Sequence, residues 1–182
     1  MKHLKKFNEI VFEELTPNIG IDNNEGEEIV EELNELLSNH FILFMKIWNF
    51  HWIMVTIGFG PFHEFFGKLY TKYFENIDKI AERIRMLGGK PIGTLQGYLG
   101  EADLDEFSGD ETPEIGTMLS MILSDYEYII KEIRELLEDE DLDNGTSKFL
   151  EDLIEDYEKD AWMLRSHIEK KETENNENEE IQ

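Results

Sequence analysis

The sequence predicts an all-α protein that folds as a four-helix bundle. Four segments carry apolar residues at alternating three- and four-residue steps, the spacing that places them on one face of a helix. Stretches rich in glycine, proline and asparagine separate these segments, and no stretch shows the strict alternation of a β-strand. With 182 residues, 40% of them hydrophobic, the chain is long enough for one domain with an apolar core.

The bundle is predicted over residues 27–170, with its main helices at 27–54, 61–87, 113–138 and 146–170. Residues 1–26 end in a breaker-rich run and are interpreted as an N-terminal arm. Pro61 suits the first turn of the second helix, which Gly88 and Gly89 bring to an end. Thr146 is a candidate cap for the fourth helix.

A long glycine-rich connection joins the second and third helices. It holds one short apolar patch, which predicts a short helix at about 94–99. A connection of this length is longer than antiparallel neighbours need, so the second and third helices are expected to run parallel. Residues 171–182 are polar, acidic and of low complexity, and they are predicted to form a disordered tail.

The composition limits the possible partners. The chain has 42 acidic and 17 basic residues and a formal net charge of -25. Such a surface disfavours DNA binding and attracts small cations, although solubility or a saline environment explains the acidity equally well. Cysteine is absent, so a metal would need His and carboxylate ligands. No signal peptide or membrane span is evident, and a soluble cytoplasmic protein is expected.

Two pairs of side chains have the chemistry and spacing of metal ligands. His51 and His63 flank the first turn, and Asp78 and Glu82 lie four residues apart on the second helix. At 1.5 Å per residue, His63 and Asp78 are about 22 Å apart, too far to bind one ion within one chain. If two subunits pair antiparallel about a two-fold axis, the two pairs meet in two identical shared sites.

A di-iron centre inside one bundle is the rival arrangement. It requires Glu-x-x-His motifs on two helices, and the sequence contains none. His40 lies on an apolar helical stripe and is interpreted as a hydrogen-bonded core residue.

These residues form a pattern that resembles the mini-ferritins of the Dps family. The resemblance covers residues 28–169 and includes His51-Trp52, His63-Glu64, the run from Asp78 to Gly89, and Trp162-Met163-Leu164. It implies a ferritin-like four-helix bundle with a short helix in the long connection, assembled as a hollow shell of twelve subunits. The implied activity is that of a ferroxidase: Fe(II) is oxidised, typically with hydrogen peroxide and otherwise with dioxygen, and ferric mineral is stored inside the shell.

By the same resemblance, His51 and His63 of one subunit and Asp78 and Glu82 of its two-fold mate bind the iron. Trp52 would be an accessory residue that takes up radicals, although packing explains an aromatic residue there equally well. Iron is the only metal implied, and no organic cofactor or membrane partner is expected. DNA binding, which the family name carries, is not expected of so acidic a chain.

Gly67 departs from the family pattern. Members usually carry Asp or Glu four residues after the second histidine, and here that position is Gly67. We therefore expect a well-formed iron position at His51, Asp78 and Glu82 and a weakened or absent one near His63. The alternative is a structural or DNA-associated shell of the same fold with a degraded ferroxidase site.

Overall fold

The computed structural model describes residues 17–21, 23–139 and 142–179, and the part of the chain that it describes forms five helices with no β-strand. The helices are α1 (Asn23–Ile53), α2 (Phe59–Met86), α3 (Leu95–Glu101), α4 (Ile115–Leu136) and α5 (Asn144–Glu179). Four of them are long, and α3 is a short helix within the long connection between α2 and α4. The predicted all-α bundle is confirmed.

The helix bounds differ from the predicted ones at several ends. The first helix begins at Asn23 rather than at 27, and most of the predicted arm, residues 1–16, lies outside the described residues. The second helix begins at Phe59, because Gly58 adopts a left-handed φ of 84° at its N-cap position. Pro61 therefore occupies the first turn without starting the helix.

The last helix is longer than predicted. A disordered tail was expected over 171–182, whereas α5 continues to Glu179. Glu, the most frequent residue in this stretch, has high intrinsic helix propensity, so the backbone can continue as a helix without an apolar face. Residues 180–182 lie outside the described part of the chain.

Hydrogen bonds between helices establish their directions. Asn39 of α1 donates to Glu132 of α4 at 3.1 Å, and Lys46, two turns later, pairs with Asp125 at 2.5 Å. Residue numbers rise on α1 as they fall on α4, so these helices are antiparallel. Since a short turn also makes α1 and α2 antiparallel, α2 and α4 run parallel, as the long connection predicted.

One apolar core runs along the middle of the bundle. Each of the four long helices contributes side chains that are almost completely buried, among them Leu33, Leu36, Leu37, Leu43, Ile47 and Phe50 of α1, Phe66, Ile80 and Ile84 of α2, Met118, Ile122, Ile129 and Ile133 of α4, and Leu150 and Leu164 of α5. Burying one such side chain stabilises the fold by about 1.5–3 kcal/mol. No described helix is long and apolar enough to cross a membrane.

The start of α5 is capped by Asp143 rather than by Thr146. The Asp143 carboxylate accepts hydrogen bonds from the backbone N–H groups of Gly145 at 2.8 Å and Thr146 at 3.1 Å, so the prediction for Thr146 is wrong. The helix begins two residues before Thr146, which places Asp143 at the N-cap position. Arg83 of α2 bonds to the same carboxylate at 2.7 Å and attaches the start of α5 to the second helix.

Candidate metal centre

The end of α1 and the start of α2 bring His51 and His63 together. His51 lies in the last turn of α1, and His63 lies in the second turn of α2, beyond the short connection between the helices. Their imidazole rings stack with centroids 3.7 Å apart and planes 20° from parallel. Both side chains are partly buried, so each ring keeps an edge open to a ligand.

The two histidines orient each other through their backbones. His51 Nδ1 lies 2.9 Å from the carbonyl oxygen of His63, and His63 Nδ1 lies 3.1 Å from the carbonyl oxygen of His51. Because a carbonyl oxygen only accepts, each Nδ1 carries the proton and donates it. In the neutral ring Nε2 then has a free lone pair, which is the form that binds a transition metal.

The surroundings of His51 favour this neutral form. Burial, followed by the nearby charge on His63, lowers the pKa of His51, although its bond to the His63 carbonyl opposes the shift. Tyr70 packs edge-on against the His51 ring with centroids 5.1 Å apart, and Phe59 stacks on His63 at 4.9 Å. The contact with Tyr70 was not predicted, although Tyr70 lies two turns after His63 on the same helix.

Gly67 leaves open space beside His51. A Cβ atom built on Gly67 would lie 3.6 Å from His51 Cε1, an ordinary van der Waals distance. A side chain at this position would therefore fit and would lie next to the imidazole. An open groove begins at this point and is lined by His51, His63, Gly67, Tyr70, Thr71 and Lys72.

Asp78 and Glu82 lie farther along α2 and are exposed. Their four-residue spacing places both carboxylates on one face of the helix. The helical rise separates His63 from Asp78 by about 22 Å, so the structure does not bring the two pairs together within one chain. Among the described residues, no group of three His, Asp or Glu side chains converges on a metal position.

Large apolar side chains are exposed around the histidines. Trp52 is 56% exposed and contacts Trp48 with ring centroids 4.5 Å apart, and the turn that follows exposes Ile57 completely. Val55 and Phe59, in and next to the same turn, are also exposed, and other exposed apolar side chains lie elsewhere on the chain: Phe74, Met86, Leu95, Leu99 and Trp162. A surface with this much exposed apolar area is typical of a protein that buries it against a partner.

The fold and the sequence together define a ferritin-like four-helix protein. The family model for the ferritin-like domain matches residues 30–173. The chain belongs to the Dps family of mini-ferritins, as the resemblance of its motifs implied. This membership points to iron storage and protection against oxidants, and to ferroxidase-type activity in general, in a family whose members form oligomeric shells.

Relatives and solved structures cover most of the chain. DNA protection during starvation protein 2 of Bacillus anthracis is 37% identical over 79% of this chain and 98% of its own length. A low temperature-induced protein of Nostoc sp. is 39% identical, over 84% of this chain and 86% of its own. The crystal structure of the Dps protein from Vibrio cholerae O1, described as a member of a broad superfamily of ferritin-like diiron-carboxylate proteins, superposes with a TM-score of 0.80 at 29% identity over 84% of this chain and 96% of its own.

Proposed function

We propose that the protein oxidises Fe(II), with hydrogen peroxide as oxidant, at sites shared between two subunits, and stores the ferric product inside a hollow shell of twelve subunits. The observation that carries the proposal is the reciprocal pairing of His51 and His63. Both Nδ1 atoms are occupied as donors to backbone carbonyls, so both Nε2 atoms are available to iron.

The proposed ligand set suits ferrous iron. Imidazole nitrogen and carboxylate oxygen bind Fe(II) and leave positions open for an oxidant. In the proposed site His51 and His63 come from one subunit, and Asp78 and Glu82 come from its two-fold mate. The exposure of both carboxylates and the apolar surface around the histidines support an interface at this place.

We infer a two-electron reaction at the proposed site. Two Fe(II) ions bound side by side can each give one electron to a peroxide, which takes up two protons and leaves as water. Gly67 supplies no carboxylate to the second position, so that ion is bound weakly and the two-electron reaction is slowed. The proposed site therefore has one firm iron position, at His51 with the mate's Asp78 and Glu82.

Anaerobic loading with Fe(II), followed by peroxide, tests the proposal. Ferric absorbance is expected to rise rapidly in the parent protein and at least tenfold more slowly in His51→Ala and in Asp78→Ala. Glu151→Ala is the control, because Glu151 is an exposed acid of α5 that does not line the groove beside the histidines. Unchanged rates in both His51→Ala and Asp78→Ala would disprove the site.

The alternative is a structural or DNA-associated shell with a degraded site, and Gly67 is the residue that favours it. Under this alternative, Fe(II) oxidation would be as slow as in buffer and unaffected by either substitution. DNA association is disfavoured by the net charge of -25. Retardation of duplex DNA in a gel at low salt would favour the alternative.

A further inference from the structure

A cluster of buried aromatic residues lies in the middle of the bundle, apart from the proposed iron site. It consists of His40 of α1, Tyr73 of α2, Tyr126 of α4 and Tyr157 of α5, all completely buried. The Tyr73 and Tyr157 rings stack at 5.3 Å and 11°, and Tyr126 meets both of them edge-on at 5.2 and 5.7 Å. Three fully buried phenols in one core are more than apolar packing requires, because each hydroxyl must be desolvated.

One phenol of this cluster is bonded to a base. The Tyr157 hydroxyl lies 2.7 Å from His40 Nε2, and His40 Nδ1 lies 2.6 Å from the Leu36 carbonyl oxygen. The carbonyl requires Nδ1 to donate, so Nε2 of the neutral ring accepts the phenolic proton. Asn76 donates its amide N–H to the same hydroxyl at 2.9 Å, which fixes the phenol with its O–H directed at His40.

The charge states of the pair follow from its burial. Burial lowers the pKa of His40 to about 4, opposed only by its bond to the Leu36 carbonyl, so the imidazole is neutral at physiological pH. Burial raises the pKa of Tyr157 far above its usual range, so the phenol keeps its proton. A phenol that loses an electron becomes a strong acid, and His40 Nε2 is already in place to receive that proton.

A row of aromatic rings connects this pair with the proposed iron site. Tyr70 contacts the His51 ring at 5.1 Å, and Tyr73 follows Tyr70 by three residues on α2, so the two tyrosines are neighbours on adjacent turns. Tyr73 in turn stacks on Tyr157. The ring contacts at the two ends are short, Tyr70 and Tyr73 are linked through three residues of α2, and the path ends at the phenol that has the base.

We propose that Tyr157 and His40 form a redox-active pair that takes up single oxidising equivalents generated at the iron site. This inference rests on the proposed function, because Gly67 weakens the second iron position and leaves peroxide to meet one ferrous ion. Fe(II) then gives one electron to peroxide, whose O–O bond breaks to yield Fe(III), hydroxide and hydroxyl radical. Tyr70, the phenol in contact with His51, gives one electron to that radical and reduces it to hydroxide, and Tyr157 then replaces the electron that Tyr70 lost. The phenolic proton of Tyr157 moves to His40 Nε2, which leaves a neutral tyrosyl radical beside an imidazolium.

Electron paramagnetic resonance tests this inference on the full-length assembled protein. Samples loaded anaerobically with Fe(II) and frozen shortly after addition of peroxide are expected to show a tyrosyl radical. Its spectrum should narrow when ring-deuterated tyrosine is incorporated and should lose a proton coupling in D2O, since the radical oxygen is hydrogen-bonded to the imidazolium. A parent protein that oxidises iron without any tyrosine-derived signal would overturn the inference.

Three variants locate the radical. Tyr157→Phe and His40→Gln are expected to reduce the signal at least tenfold, because the first removes the phenol and the second removes the base. Tyr126→Phe is the matched control: its hydroxyl bonds to Asp160 at 3.4 Å and not to His40, and it should keep the signal. An undiminished signal in Tyr157→Phe would overturn the inference. If Tyr157 and His40 only satisfied each other's buried polar groups, the substitutions would change the melting temperature, and neither the parent nor any of the three variants would form a radical.

A second oxidant separates this inference from the proposed function. Azide radicals made by pulse radiolysis remove single electrons from aromatic residues of the iron-free protein, and the transient absorption of tyrosyl radical is then followed. A long-lived tyrosyl radical that disappears in Tyr157→Phe supports the pair even if the protein fails to oxidise iron. Rapid iron oxidation without such a radical in either experiment leaves the proposed function standing and refutes the pair.

Discussion

His51 and His63 each donate an Nδ1–H hydrogen bond to the other's backbone carbonyl, so each ring is held in place by the backbone of the other residue. The end of α1 and the start of α2 are therefore joined at the point where both Nε2 atoms become available. This arrangement brings together two histidines that lie twelve residues apart in the sequence. Because the two rings also stack at 3.7 Å, replacing either histidine removes that contact, and the effects of the two single replacements are expected to be non-additive.

Mixed assemblies of two inactive variants test whether the site is shared. His51→Ala and Asp78→Ala subunits, unfolded together and reassembled at equal ratio, are expected to recover roughly one quarter of the parental rate of Fe(II) oxidation. In a two-fold site, half of the histidine contributions and half of the carboxylate contributions are intact, and the two are drawn from different subunits. The rate of peroxide-driven ferric absorbance is the measurement.

The control for that experiment is a mixture of the same two variants assembled separately and then combined. It is expected to stay inactive, because no subunits are exchanged. If the co-assembled shells were equally inactive, while their assembly was verified by light scattering, the ligands would not be shared between subunits.

Replacing Gly67 tests the weakened second iron position. Gly67→Asp is expected to raise the number of tightly bound Fe(II) ions from one to two per site, since a side chain there fits at 3.6 Å from His51 Cε1 and places a carboxylate beside the imidazole. Isothermal titration under anaerobic conditions measures this stoichiometry. Two equally tight ferrous ions in the parent protein would contradict the expectation.

Gly67→Ala provides the matched control for the carboxylate. It lacks a ligand, so its iron stoichiometry should match the parent, while the free energy of unfolding rises by about 1 kcal/mol because alanine favours the helix over glycine. A gain of iron in the alanine variant would show that the backbone, rather than the carboxylate, limits the second position.

The sequence predicted the four long helices well, because their three- and four-residue apolar spacing reports directly on which face is buried. The positions where the helices begin and end were harder to predict. Asp143 and Thr146 are both good capping residues, and only the bonds from Gly145 and Thr146 to the Asp143 carboxylate decide between them. His40 was predicted as a hydrogen-bonded core residue, but the spacing of residues on separate helices does not show that the hydroxyl of Tyr157 is its partner.

The candidate site was also predicted only in part from the sequence. Spacing on one helix predicted that Asp78 and Glu82 share a face and lie far from His63, because helical rise is fixed. The positions of the backbone carbonyls that orient His51 and His63 depend on how the connection between α1 and α2 folds. The residue types at these positions do not reveal that conformation. The contact of Tyr70 with His51 likewise depends on the separation of α1 and α2.

Removing the cap of α5 is expected to destabilise the fold. Asp143→Ala loses the bonds to two backbone N–H groups and leaves Arg83 without its carboxylate partner, so the free energy of unfolding should fall by about 2 kcal/mol. Urea denaturation measures the change. Asp143→Asn is the matched variant: it keeps a capping oxygen but not the charge and should lose about half as much, and equal losses in both would contradict the assigned cap.

Glu132 is expected to make stability depend on pH. Burial in particular, with the nearby acids Glu35, Asp103 and Glu135, raises the pKa of Glu132 to about 8 despite its bond from Asn39. The folded state therefore holds a proton that the unfolded chain releases near its ordinary value of 4.5. The contribution of Glu132 to the free energy of unfolding is therefore largest below pH 4.5. It falls as the pH rises towards 8, by up to about 1.4 kcal/mol per pH unit.

Glu132→Gln isolates this effect, because glutamine keeps the shape and can still accept from Asn39 but cannot ionise. The variant is expected to be more stable than the parent at pH 8 and nearly equal to it at pH 4.5, with the free energy of unfolding measured by urea denaturation at each pH. Glu138→Gln, which removes an exposed charge that is not among the acids raising the pKa of Glu132, should keep the parental slope. If Glu132→Gln kept the parental slope as well, the carboxyl of Glu132 would be ionised in the folded protein and some other group would set the pH dependence.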